Sequence, residues 1–133
     1  MKFSIPFNQA VFRDFRLFVV TVEVENQGSS LYLPMILDTG ASYVTVRPDV
    51  FDRLDIVPIR NRPLVTASEQ TTAPVGQVER ISVGSGCACA NVQVISTPLP
   101  AALPAEGLLG ASFLRNFSVT LDYGAGKLEL SSK

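Results

Sequence analysis

Residues 33–42 read Leu-Pro-Met-Ile-Leu-Asp-Thr-Gly-Ala-Ser. The apolar run Met35-Ile36-Leu37 looks like a strand inside a core, yet it ends in Asp38, where an unpaired charge is costly to bury. Working back, Leu17-Phe18-Val19-Val20-Thr21-Val22-Glu23-Val24 is β-branched and aromatic and stops at the turn cluster Asn26-Gln27-Gly28-Ser29-Ser30. With Leu31–Leu37 it predicts a hairpin whose second arm delivers Asp38 to its end.

Working forward, Tyr43–Val46 reads as a strand, and Pro48–Leu54 as a short helix with Pro48 at its first position. Residues 64–74 and 75–83 read as two further strands, the first with a polar tip around Ser68-Glu69-Gln70. Residues 90–95 alternate like a half-buried strand. The proline-rich stretch 97–104 can hold neither a helix nor a central strand and predicts a surface connection. It leads to Leu108-Leu109-Gly110, a helical turn over 111–116, and a hairpin of 117–122 with 127–130. Short strands spaced by turns indicate an all-β architecture, a barrel or a sandwich, with one or two short helices.

With 133 residues, 47% of them hydrophobic, the chain fits one domain over 1–133 with a single core. Its 17% charge and net charge of -1 lack the basic surplus that nucleic acid or an anionic membrane would call for. No apolar run approaches the ~20 residues of a membrane span, and the first residues lack the apolar stretch of a signal peptide. A cytoplasmic location is expected. The absence of histidine removes Ser-His-Asp and Cys-His catalysis together with the commonest transition-metal ligand. Cys87 and Cys89, two apart, share a strand face and read as small buried thiols. Two cysteines alone do not complete a metal site, so neither metal nor cofactor is expected. Tyr32, Tyr43 and the eight phenylalanines are read as core.

A given tripeptide arises by chance in a chain of this size in roughly 2 to 3% of cases. Asp-Thr-Gly alone is therefore a weak signal, and Asp38 could be a strand-end turn residue. Its setting is more specific: an apolar strand before it, Ala41-Ser42 after it, and Leu108-Leu109-Gly110 about seventy residues later. This combination resembles the retropepsin-like aspartic proteases, the single-lobed relatives of pepsin, in order of parts from about Leu17 to Leu130. The resemblance implies a closed acid-protease barrel and an aspartic endopeptidase with Asp38 as its catalytic carboxylate. Thr39, Gly40, Ala41 and Ser42 would form the active-site loop, Leu108-Leu109-Gly110 the structural support behind it, and Ser68-Glu69-Gln70 the tip of a flap. Many bacterial members place a glycine near that tip; here Gly76 stands further along.

Hydrolysis without a metal or a covalent intermediate needs a base for the water and an acid for the leaving amine, and one aspartate cannot be both at once. A chain with one Asp-Thr-Gly therefore implies a homodimer that brings Asp38 against its own copy across a two-fold axis. Thr39 would hydrogen-bond across that axis, and small residues would avoid bulk there. Ala41 replaces the serine common in pepsin-like enzymes, which implies work at milder acidity. The expected partner is a peptide or protein substrate bound in extended form. The alternative is a non-catalytic dimeric peptide-binding or scaffold module on the same fold. A glycosidase pairing Asp38 with Glu69 or Asp122 is disfavoured, because the chain has no tryptophan and no sugar-binding aromatic cluster.

Overall fold

The computed structural model describes residues 1–65 and 70–133. In chain order the elements are β1 (Lys2–Pro6), α1 (Gln9–Phe15), β2 (Val19–Asn26), β3 (Ser29–Leu37), β4 (Val44–Val46), α2 (Pro48–Arg53) and β5 (Arg60–Val65). They are followed by β6 (Gln70–Val83), β7 (Cys87–Ser96), β8 (Gly107–Leu109), α3 (Ala111–Leu114), β9 (Phe117–Asp122) and β10 (Lys127–Ser132). Six strands in the order β2-β3-β8-β4-β7-β6 form a ring, closed where β6 returns to β2 from Val22 opposite Val83 to Glu25 opposite Arg80. Closure leaves the barrel strands no free edge. β5 lies outside the ring, paired among the described residues with β6 alone, and β1-β10-β9 make a separate three-stranded sheet. The expected closed barrel is thus present.

The β2–β3 hairpin forms as its pattern predicts. Val20, Val22 and Val24 point inward while Thr21 faces solvent, and Gln27 and Gly28 both take positive φ in a two-residue turn. Leu33 and Met35 of β3 meet Val46, Val94 and Leu109 in one buried cluster, which Ile5, Leu128 and Leu130 of the terminal sheet complete. Each such side chain contributes about 1.5–3 kcal/mol by leaving water. This burial holds β3 in register up to Leu37.

Several sequence expectations need correction. Residues 64–74 and 75–83 are not two strands. β6 is continuous and changes partners instead, pairing with β5 over 70–75 and with β7 over 75–83. Pro74 falls where β5 is the only neighbour, so its missing N–H takes no bond from the β7 ladder. Among the described residues the short helices are α1, α2 and α3, of which the sequence pattern did not single out α1. The extra one, α1, starts at Asn8, whose Oδ1 accepts the Val11 N–H at 3.0 Å. It buries no residue fully, so it carries no strong apolar stripe. The aromatics are not all core: Tyr32 is 68% exposed and Phe15 is 52% exposed. Cys87 is buried and Cys89 half-buried, both unpaired. Burial first, then the neighbouring Cys89, pushes the Cys87 thiol up to about 11. Among the described residues no helix is long and apolar enough to cross a membrane.

Candidate active site

β3 leaves the sheet at Asp38. Up to Leu37 it runs parallel to β8, with Leu37 opposite Leu109, and the Asp38 N–H donates to the Leu109 carbonyl at 3.1 Å. The chain then turns: the Ala41 N–H reaches the Asp38 carbonyl at 3.2 Å, and the Gly40 N–H donates to Asp38 Oδ1 at 3.0 Å. The carboxylate is half-buried in the single chain, while Thr39, Gly40 and Ser42 are exposed. A buried strand can end in a carboxylate here because the chain leaves the core at that residue and supplies a backbone donor. Gly40 has no positive φ, and a Cβ there would meet only Asp38 Oδ1, at an ordinary 3.4 Å. Nothing in its own chain requires glycine at position 40.

Gly110 is different. A Cβ on it would lie 2.2 Å from the Tyr43 carbonyl oxygen and 2.8 Å from that of Ala41. The loop's backbone therefore rests directly on Gly110, and the Ala111 N–H fastens it by donating to the Ala41 carbonyl at 2.8 Å. Leu109 is fully buried behind the loop, and Leu108 is half-buried on the cavity side. Sequence reading missed Ser112. Its buried hydroxyl accepts the Val44 N–H at 2.8 Å and donates to the Gln93 carbonyl at 2.7 Å, joining the loop's exit to β7. The available signal was a hydroxyl within the short apolar run Ala111–Leu114, but its partners lie 68 and 19 residues away.

A cavity of about 390 Å³ opens beside the loop, lined by Ala41 and Ser42 on one side, Leu108 and Ile95 below, and Arg62 and Leu64 of β5 opposite. An adjoining cavity of about 370 Å³ shares Leu64 and Thr97 with it and continues past Thr71 and Thr72 of β6. Together they form a groove under the β5–β6 hairpin. Its outer wall is the proline-rich connection, tied by Arg47, which donates to the carbonyls of Leu99 at 2.6 Å and Ala105 at 3.0 Å. Tyr43, expected in the core, stands at the cavity wall. Its hydroxyl accepts from Arg60 at 2.9 Å; that bond first, and then the charges of Arg60 and Arg62, draws the phenol below its ordinary range against the opposing effect of burial.

Of the three expected tip residues, Ser68 and Glu69 lie outside the described residues. Gln70 is exposed and opens β6, paired with Val65 of β5. Gly76 sits in the body of β6 opposite Val94. Asp122 accepts the Ala125 N–H at 2.9 Å in the β9–β10 turn, which accounts for its carboxylate there. Among the described residues no group of three or more His, Cys, Asp or Glu side chains is placed to hold a metal.

A model of the aspartyl protease family matches residues 20–113, well over half of the chain and spanning both the Asp38 loop and Gly110. The chain belongs to the aspartyl protease family. Among solved structures, it is similar to a retropepsin-like aspartic protease from Rickettsia conorii, at 20% identity and a TM-score of 0.66 over 98% of this chain and 89% of that one. It is also similar to the simian foamy virus protease, at 20% identity and a TM-score of 0.51 over 73% of this chain and 91% of that one. At this identity the two relatives speak for the retropepsin-like fold. No curated protein matches the chain.

Proposed function

We propose that this aspartyl protease family member is an aspartic endopeptidase, active as a homodimer in which each subunit supplies one Asp38. The observation that carries the reading is a carboxylate on the loop that flanks an apolar groove, Asp38 standing three and four residues before the lining residues Ala41 and Ser42. Asp38 is half-buried and oriented by the Gly40 N–H, and no acidic residue among the described ones lines the adjacent cavity. Two carboxylates held side by side share one proton, the known chemistry of the aspartic protease family. The ionised member takes a proton from water, whose oxygen attacks the scissile carbonyl. The protonated member gives its proton to the carbonyl oxygen, forming a tetrahedral diol; as that diol collapses the C–N bond breaks and the pair passes a proton to the departing amine nitrogen. The exposed Thr39-Gly40 surface leaves room for the second copy. Its demand for small residues at the axis would explain a glycine that the chain's own packing does not require. The β5–β6 hairpin serves as the flap, with an extended peptide in the groove beneath it.

The test is Asp38→Asn, which keeps the shape and removes the proton exchange. Circular dichroism and sedimentation should match wild type while cleavage of a peptide library falls about 10³-fold or more. A folded, dimeric variant that cuts at wild-type rate would overturn the assignment. Wild-type activity per protomer should also fall on dilution through the dimer dissociation constant, because half-sites are inactive apart. A folded dimer that binds peptides and never cuts them would instead be the binding module.

A further inference from the structure

Arg62, which lines the cavity, and Arg60, which bonds to the lining residue Tyr43, have no part in dyad chemistry. Arg60 and Arg62 stand two apart on β5, so their side chains leave the same face of the strand. Their guanidinium carbons lie 5.9 and 5.1 Å from the centroid of the Tyr43 ring. Arg60 is committed, donating to Tyr43 Oη at 2.9 Å and to Gln93 Oε1 at 2.7 Å. Arg62 only grazes the same hydroxyl at 3.5 Å, the limit of a hydrogen bond. Among the described residues the ion pairs use Lys2, Arg13, Arg53, Arg80 and Lys127, and none uses Arg60 or Arg62. The same two guanidinium groups, the Arg60 hydrogen bond foremost, draw the Tyr43 phenol below its ordinary range.

Beneath that rim the cavity is apolar, walled by Leu64, Ile95 and Leu108. A lysine side chain entering it would meet like charge. A purely apolar one would cover the Arg62 guanidinium and give it no partner. A side chain with methylenes below and a carboxylate above satisfies both levels, and a guanidinium already stacked on an aromatic ring is pre-organised to receive it. We propose that this cavity is a substrate subsite selective for acidic side chains, glutamate ahead of aspartate, with Arg62 receiving the carboxylate and Arg60 reinforcing it. The inference rests on the peptide-cleaving reading above and names its substrate class.

The experiment uses decapeptide libraries in which one position at a time is fixed as Glu, Asp, Leu or Lys, digested by the full-length wild type. At one position near the scissile bond, kcat/KM for Glu should exceed that for Lys by about tenfold, the scale of an exposed ion pair set against a like-charge contact. Asp should trail Glu by about fourfold, the worth of one methylene on an apolar wall. Arg62→Glu should move the preference towards Lys, and the neutral Arg62→Gln should erase it. Arg13→Glu, which changes the net charge equally on exposed α1, should leave it alone. A flat profile, or a Glu preference that survives both Arg62 changes, overturns the proposal while the protease reading stands. If wild type cuts nothing, that reading fails, and fluorescein-labelled pools of the same libraries are bound to the Asp38→Asn protein by anisotropy. A Glu preference that depends on Arg62 then upholds the subsite; equal binding, or none, overturns it.

Discussion

The Asp38 loop and the β5–β6 hairpin face the same groove but are held in opposite ways. The loop is fastened from behind by three polar contacts, from Leu109, Ala111 and Ser112, and sits on a glycine with no room to spare. The hairpin has one ladder: among the described residues β5 pairs only with β6, and Arg60, Asn61, Arg62, Pro63, Thr71 and Thr72 are all exposed. On the proposed reading, a carboxylate that meets its copy within hydrogen-bond reach needs a fixed backbone. A surface that covers peptides of varied sequence needs accessible side chains. The contrast teaches that the groove's floor is built for position and its roof for contact.

Substitutions on the two sides should separate accordingly. The largest effect is expected from Gly110→Ala, since the new methyl would collide with the Tyr43 carbonyl, a backbone atom that cannot turn aside. Peptide cleavage should be lost and stability should fall by about 1–3 kcal/mol or more in urea unfolding. Near wild-type activity would mean that the loop is not positioned from behind. Ser112→Ala comes next. It leaves the Val44 N–H and the Gln93 carbonyl unpaired in the interior, and a loss of about 2–3 kcal/mol is expected. Its kcat should drop more than its KM rises, because the loop's exit shifts.

On the roof, Thr72→Ala removes an exposed side chain that lines the second cavity. Stability should change by no more than about 0.5 kcal/mol while KM rises a few-fold. A destabilisation equal to that of Ser112→Ala would erase the distinction between floor and roof. The smallest effect belongs outside both regions. In the terminal sheet Lys2, at 3.1 Å, and Lys127, at 3.3 Å, hold the Glu129 carboxyl below its usual range. A carboxyl lowered by folding stabilises above its unfolded pKa, and that contribution is lost as pH falls through the folded value. Wild type should therefore melt slightly above Glu129→Gln at pH 7, and the two should converge as the pH drops below about 4. Melting curves that stay parallel through acid would remove Glu129 from the balance, and neither should differ in cleavage.

The difference between floor and roof also marks what could be read in advance. Asp38 at a strand end was legible because its causes are local: an apolar run, a turn cluster and small residues within ten positions. Gly110 was legible as a companion motif, although the reason it must be glycine, the Tyr43 carbonyl 2.2 Å from where a Cβ would stand, was not. Periodicity could not foresee that β6 continues through Pro74, because that depends on which neighbour lies beside each half of the strand.

By itself the sequence determined the β2–β3 hairpin, the exit of Asp38 from an apolar strand and the exclusion of histidine chemistry, since propensity, alternation and composition act over a few residues. Only the tertiary structure decided that Ser112 holds the loop's exit, that Tyr43 leaves the core to meet Arg60 and Arg62, and that Gly40 is spared any clash within its own chain. Those contacts join segments up to 68 residues apart. Barrel closure sets them by choosing which strands become neighbours, and no local pattern carries that information.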